Sequence, residues 1–160
     1  MKNLSYVIVV LLLMGSIQVF AQGTKPVQIS LLNPVQIFRE DTSIEGVRIN
    51  FLYGVNANLK GLDLGLGNGI KRNVEGVQLG FVNYVEGNVL GWQQSAANFT
   101  MANFTGFQSG FYNHAVKMKG FQLGFVNYTG SLEGLQIGLV NINGNKDPFY
   151  ILPIVNFSFK

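Results

Sequence analysis

The chain contains no cysteine, so disulfides, thiolate nucleophiles, thiolate metal sites and anchoring through a lipidated cysteine are all excluded. It has one histidine, His114, expected as a turn residue just past Asn113. With no second base or ligand of its kind nearby, neither a catalytic triad nor a metal centre is expected. Charge is scarce as well. Asp, Glu, Lys and Arg make up 12% of the 160 residues, about half the usual share of a globular domain. The formal net charge is +3, and removal of Lys2 leaves ten basic and eight acidic side chains. That balance gives no reason to expect nucleic acid as a partner. Below the first residues no segment holds a helical apolar period for more than two turns.

Glycine (20 residues) and phenylalanine (13) take up the difference. The N-terminus reads as an export signal: Lys2 is the positive n-region, Val7 to Met14 form an apolar run, and Val19-Phe20-Ala21 suits signal peptidase. The run is too short to span a bilayer, which takes about 20 residues. Cleavage after Ala21 is expected, leaving 22–160 as a single all-β repeat domain.

The strongest signal is an internal repeat: Gly, apolar, Gln, apolar, Gly, apolar, apolar, Asn. It is clearest at Gly76–Asn83 (GVQLGFVN), Gly120–Asn127 (GFQLGFVN) and Gly134–Asn141 (GLQIGLVN), and weaker from Gly61, Gly91 and Gly106. Degenerate copies begin at Pro26, Gly46 and Phe149, so nine units start at 26, 46, 61, 76, 91, 106, 120, 134 and 149. All steps but the first are 14 or 15 residues, the mark of a repeat architecture.

Within a unit Val77, Leu79 and Phe81 alternate with Gln78 and Gly80, the period-2 pattern of a strand with unlike faces. The apolar residues are expected inside, including Trp92, Phe107 and Phe121 at the slot of Val77 and Leu135. The glutamines Gln78, Gln93, Gln108, Gln122 and Gln136 then form an exposed polar stripe. One further apolar residue precedes each unit by two positions: Leu59, Val74, Val89, Phe104, Met118 and Leu132.

Two architectures suit such units. In a parallel β-solenoid each unit is one coil, and Gly76, Gly120 and Gly134, Gly80, Gly124 and Gly138, and Gln78, Gln122 and Gln136 recur in equivalent places. Asn68, Asn83, Asn98, Asn113, Asn127 and Asn141 would stack into an amide ladder, Gly and Asn would turn the corners, and the proline-bearing end units would be caps. The alternative is a small closed antiparallel outer-membrane β-barrel, for which chain size and the aromatic ending Phe157 and Phe159 speak. A lipid-crossing strand takes about 9–11 residues. Here the apolar face is Leu135, Ile137 and Leu139, bounded by Glu133 and Asn141. The order Gly first and Asn last in the six copies from Gly61 to Asn141 further favours the solenoid.

These repeats, with the lead-in PVQISLLNPVQIF and the ending PFYILPIVNFSF, resemble a family of bacterial surface-repeat proteins to which no activity is assigned. The resemblance implies export to a Gram-negative-type envelope, at the outer membrane or cell surface. No residue suggests catalysis. The acidic residues are scattered, the Gly-x-x-x-Gly spacing lacks the Lys and helix of a phosphate loop, and no cofactor or metal is expected. The function expected is structural or interactive, toward an envelope macromolecule or glycan; the barrel alternative would be a scaffold or narrow pore meeting outer-membrane lipid.

Overall fold

The computed structural model describes residues 23–159; the expected signal segment lies outside the described residues. The described chain is all β. Its elements are β1 (Lys25–Leu32), β2 (Val35–Gln36), β3 (Ile44–Asn56), β4 (Leu59–Ile70), β5 (Val74–Val85), β6 (Val89–Gln94), β7 (Ala97–Asn143) and β8 (Ile151–Ser158). At about 3.3 Å per residue, the 47 residues of β7 would span roughly 150 Å if straight. Instead β7 winds through successive coils, pairing in parallel with both β5 and β6.

The register is that of the repeat. Gly46 pairs with Gly61, Gly61 with Gly76, Gly76 with Gly91 and Gly91 with Gly106, all in parallel. The fold is therefore a parallel β-solenoid, and parallel neighbours from β1 through β7, apart from the short β2, exclude the antiparallel barrel for these residues. Two ends depart from the coil. β2 folds back antiparallel on β1 within the long first step. β8 also runs antiparallel, with Gln136 opposite Asn156. The Phe149 unit is thus not a ninth coil but a reversed strand covering the last one, which corrects the count of nine stacked units.

The second correction concerns which face is inside. In β5 the buried residues are Val74, Gln78, Asn83 and Val85, while Phe81 and Tyr84 are exposed. Gln78, Gln93, Gln108, Gln122 and Gln136 are all fully buried, whereas Trp92 and Phe125 are exposed and Phe107 and Phe121 half-buried. The expected orientation is inverted: the glutamine stripe lines the interior and the apolar strand face looks outward. The coil turns where pairing skips from Gly65–Gly80 to Gly67–Val82, and Phe81 projects from that corner. Asn83 then re-enters the interior from the second wall.

Apolar burial comes from two other columns. Ile44, Leu59, Val74, Val89, Phe104, Met118 and Leu132 precede the glycines, as expected, and Ile70, Val85 and Ala115 face them from the end of the second wall. Volume is balanced within a coil: large Phe104 shares its level with small Ala115, and Met118 with Thr129, as a close-packed interior requires.

Gly76 does not turn a corner. It sits within β5 at φ 145°, where a Cβ would overlap the carbonyl oxygen of Gly61 one coil below. Gly76→Ala therefore has both a disfavoured dihedral and a backbone clash, with an expected loss of about 2–3 kcal/mol. Urea unfolding of the variant would show it; a loss of a few tenths of a kcal/mol would mean the coils are less closely stacked than described.

Candidate functional site: an amide interior and an apolar exterior

The interior is held by two columns of side-chain amides that run in opposite directions. In the asparagine column each Nδ2 donates to the Oδ1 of the next coil: Asn68 to Asn83 at 2.9 Å, Asn83 to Asn98 at 2.9 Å, Asn98 to Asn113 at 2.9 Å, Asn113 to Asn127 at 2.8 Å and Asn127 to Asn141 at 2.8 Å. The spare Nδ2 proton goes to a main-chain carbonyl, as from Asn113 to Leu123 at 3.0 Å. In the glutamine column Nε2 donates backward, Gln93 to Gln78 at 2.7 Å, Gln108 to Gln93 at 3.0 Å, Gln122 to Gln108 at 2.7 Å and Gln136 to Gln122 at 2.8 Å. The expected asparagine ladder is present; the glutamine ladder beside it was not anticipated.

The glycines at the Gly80, Gly124 and Gly138 slot make room for these amides. A Cβ on Gly80 would approach Asn68 Nδ2 at 2.7 Å, and one on Gly138 would approach Asn127 Nδ2 at 2.7 Å. In the fifth copy Ser95 replaces this glycine and its hydroxyl donates to Asn98 Oδ1 at 2.8 Å. The departure is thus absorbed as one more interior hydrogen bond.

Both columns end in residues that the repeat does not contain. Asp63, at a glutamine slot, accepts Gln78 Nε2 at 2.9 Å and is gripped by Arg48 through Nε at 2.8 Å and Nη2 at 2.6 Å, with both side chains fully buried. Arg48 also donates to the Gly69 carbonyl at 2.9 Å. Asn50, which stands at a glycine slot, donates to Asn68 Oδ1 at 2.7 Å and so supplies the first rung that Gly54, the residue in register with Asn68, cannot. Sequence expectations did not include this pair; a cation and an anion at the same slot of neighbouring units, Arg48 and Asp63, was the available signal.

The outer surface is the reverse of the interior. Successive coils present Val77, Trp92, Phe107, Phe121 and Leu135, then Leu79, Leu123 and Ile137, then Phe81, Phe111, Phe125 and Leu139 at the corner. Phe81, Phe111 and Leu139 are each more than 60% exposed. The rings stack along the axis, Phe111 on Phe125 at 4.5 Å and Phe107 on Phe121 at 5.3 Å. Outside the Arg48–Asp63 pair, the charged residues of the coils from 46 to 142 lie on the opposite edge, at Lys60, Lys71, Arg72, Glu75, Glu86, Lys117, Lys119 and Glu133. Leu90, Met101 and Val116 share that edge. A third asparagine column decorates it: Asn58, Asn73 and Asn88 each accept the main-chain N–H of the equivalent residue one coil on.

His114 is not in a turn. It lies on the outer face of β7, stacked on Tyr128 at 5.2 Å and near Phe99 at 6.4 Å. Burial holds its imidazole below the ordinary value near 6.5. Among the described residues no group of three His, Asp or Glu could hold a metal ion, and no other titratable side chain is among its ring contacts save Tyr128.

Two predictions follow from this geometry. Asn113→Ala leaves Asn98 without its acceptor and Asn127 without its donor, at about 1–3 kcal/mol for each orphaned group. A double-mutant cycle between Asn113 and Asn127 is expected to show coupling above about 0.5 kcal/mol; additive losses would contradict the ladder. For His114, the folded state binds the proton less tightly than the unfolded chain. Its contribution is therefore complete above about pH 6.5 and is lost as pH falls through the lowered folded value. Melting of the wild type against His114→Phe between about pH 8 and about pH 5 reads this, with the wild type losing more on acidification; parallel curves would contradict it.

Compared with family models, with curated proteins and with solved structures, the chain finds no match.

Proposed function

We propose that the chain is an exported, non-catalytic component of a Gram-negative-type cell envelope or surface, acting as a structural and interaction module through its apolar outer columns. The observation that carries this reading is the inverted solenoid. Folding is served by the amide columns and the narrow apolar core, yet large side chains such as Phe81, Phe111, Phe125 and Leu139 remain in solvent. Side chains that do not build the core and still form continuous apolar stripes mark a docking surface. The signal-like first 21 residues and the resemblance to surface-repeat proteins support the location.

This reading replaces the exposed glutamine stripe expected from the sequence with the opposite face. Changing Gln93 and Gln108 to Leu would not free a binding stripe. It would orphan the neighbouring amides at Gln78 and Gln122, so loss of folding is expected, read as a collapsed far-UV signal.

The test in cells pairs fractionation with a photoreactive side chain placed singly at Phe81, at Leu139 or at Asn88. Recovery in the envelope fraction with adducts from Phe81 and Leu139, and none from Asn88, is the expected result. Cytoplasmic recovery, or adducts from Asn88 alone, would overturn the proposal.

A further inference from the structure

The apolar corner has the dimensions of one leaflet of a membrane, and we infer that its occupant is lipid: the solenoid lies with its axis in the membrane plane and its Phe81–Phe111–Phe125–Leu139 corner sunk into the hydrocarbon. This rests on the interaction reading above and names the partner.

Depth is the first argument. From the Val77 column to the Phe81 column is four residues, about 13 Å of extended chain, and half of a hydrocarbon core about 30 Å thick is about 15 Å. A face too shallow to cross a bilayer is thus the right depth to enter one side of it. Length is the second. Six coil steps separate Gly46 from Gly134, about 29 Å at 4.8 Å per step, so the whole corner forms one ridge.

Polarity is the third argument, and it separates lipid from other occupants. The columns at Val77, Leu79, Phe81, Val82 and Tyr84 carry no Asp, Glu, Lys or Arg on any coil from 46 to 142. A glycan platform would set hydrogen-bonding groups beside its rings, and a protein partner would meet a polar rim with specific pairs. Apart from Gln94 and Ser109 in the Leu79 column, this corner offers neither, while the glutamine and asparagine columns of these coils are turned inward and paired along the axis. Tyr84, Tyr112, Tyr128 and Trp92 stand between the corner and the charged edge, where rings with a polar tip suit the headgroup boundary.

The ridge is also notched. In the fifth copy Ala96 stands where the neighbouring coils carry Phe81 and Phe111, beside a groove of about 1120 Å³ walled by Leu79, Phe107, Phe111, Leu123, Phe125 and Ile137. It runs along the axis and is apolar on its walls, which fits an acyl chain lying against the protein.

Trp92 is the chain's single tryptophan and lies on the wall above the corner, so it reports insertion directly. The full chain is mixed with vesicles of uncharged phosphatidylcholine and followed by flotation and Trp92 emission, with lipids brominated at different depths as quenchers. Expected are flotation, a blue shift, and quenching strongest from bromines near the headgroup. Flotation is expected to persist in about 1 M salt, because the contact is not ionic. Phe111→Asp with Phe125→Asp, both at exposed positions, is expected to reduce the Trp92 quenching by about tenfold with an unchanged circular dichroism spectrum. Trp92 left unshifted and unquenched would overturn the inference even if the chain floats by its N-terminal segment. Corner-dependent self-association in buffer that vesicles do not disperse would overturn the lipid assignment and leave the interaction module standing. A monodisperse chain indifferent to vesicles, with no cross-links from Phe81 or Leu139 in cells, would end both.

Discussion

Everything in this fold depends on the hydrogen bond between a side-chain amide and its copy one coil away. An Asn or Gln buried in a narrow interior has donors and acceptors that water can no longer meet, and each unpaired group costs about 1–3 kcal/mol. Repetition removes that cost, because at the parallel-strand spacing of about 4.8 Å the same amide on the next coil lies within reach. The bonds then demand register. A slip of one residue would carry the whole face outward and break both columns together, which is why the repeat keeps Gln and Asn at fixed places while its apolar slots vary.

The two columns also balance each other. Asparagines donate toward the C-terminus and glutamines toward the N-terminus, so the amide dipoles of one column oppose those of the other instead of summing along the axis. A directional chain of amides leaves one acceptor over at its starting end. The orphaned oxygens are Asn50 Oδ1 at the first coils and Gln136 Oε1 at the last. At the other end of the glutamine column the final donor meets Asp63, whose charge is in turn taken by Arg48. A buried ion pair of this kind adds little net stability over an apolar pair, but removing one partner costs about 3–5 kcal/mol. It marks where the regular column begins and admits only one alignment of β3 on β4.

The repeat, its register, the all-β class, the parallel coil and the asparagine ladder were legible in the sequence. The inside was not. Period-2 alternation says that two faces differ but carries no sign, and the habit of placing apolar residues inside supplied the wrong one. Two features held the answer. The Gln slot is Gln in six units, while the neighbouring slot runs through Val, Trp, Phe and Leu; an interior of fixed width demands constant volume, and an exterior tolerates change. Glycine also shares the parity of glutamine, as Gly76, Gln78 and Gly80, and the face that lacks side chains is the one with no room for them. The reversal of β8 was hidden for a related reason: a short strand ending in Asn reads the same whichever way it pairs, and Asn156 meets Gln136 from the opposite direction.

The inversion carries a consequence for what the exterior is for. In an ordinary domain an apolar column is explained by the core it builds, so it says nothing about function. Here the core is complete without it: amides pair with amides, Val74 faces Val85, and the glycine slots set the distance between coils. Replacing Phe81 or Leu139 by a polar residue would remove no interior contact that holds the coil. Their apolar character is thus unexplained by folding and costs solubility, and it recurs coil after coil along one ridge while the charged residues gather at the far edge. An interior whose amides pair among themselves thus leaves the apolar exterior as the part of the molecule that folding does not require.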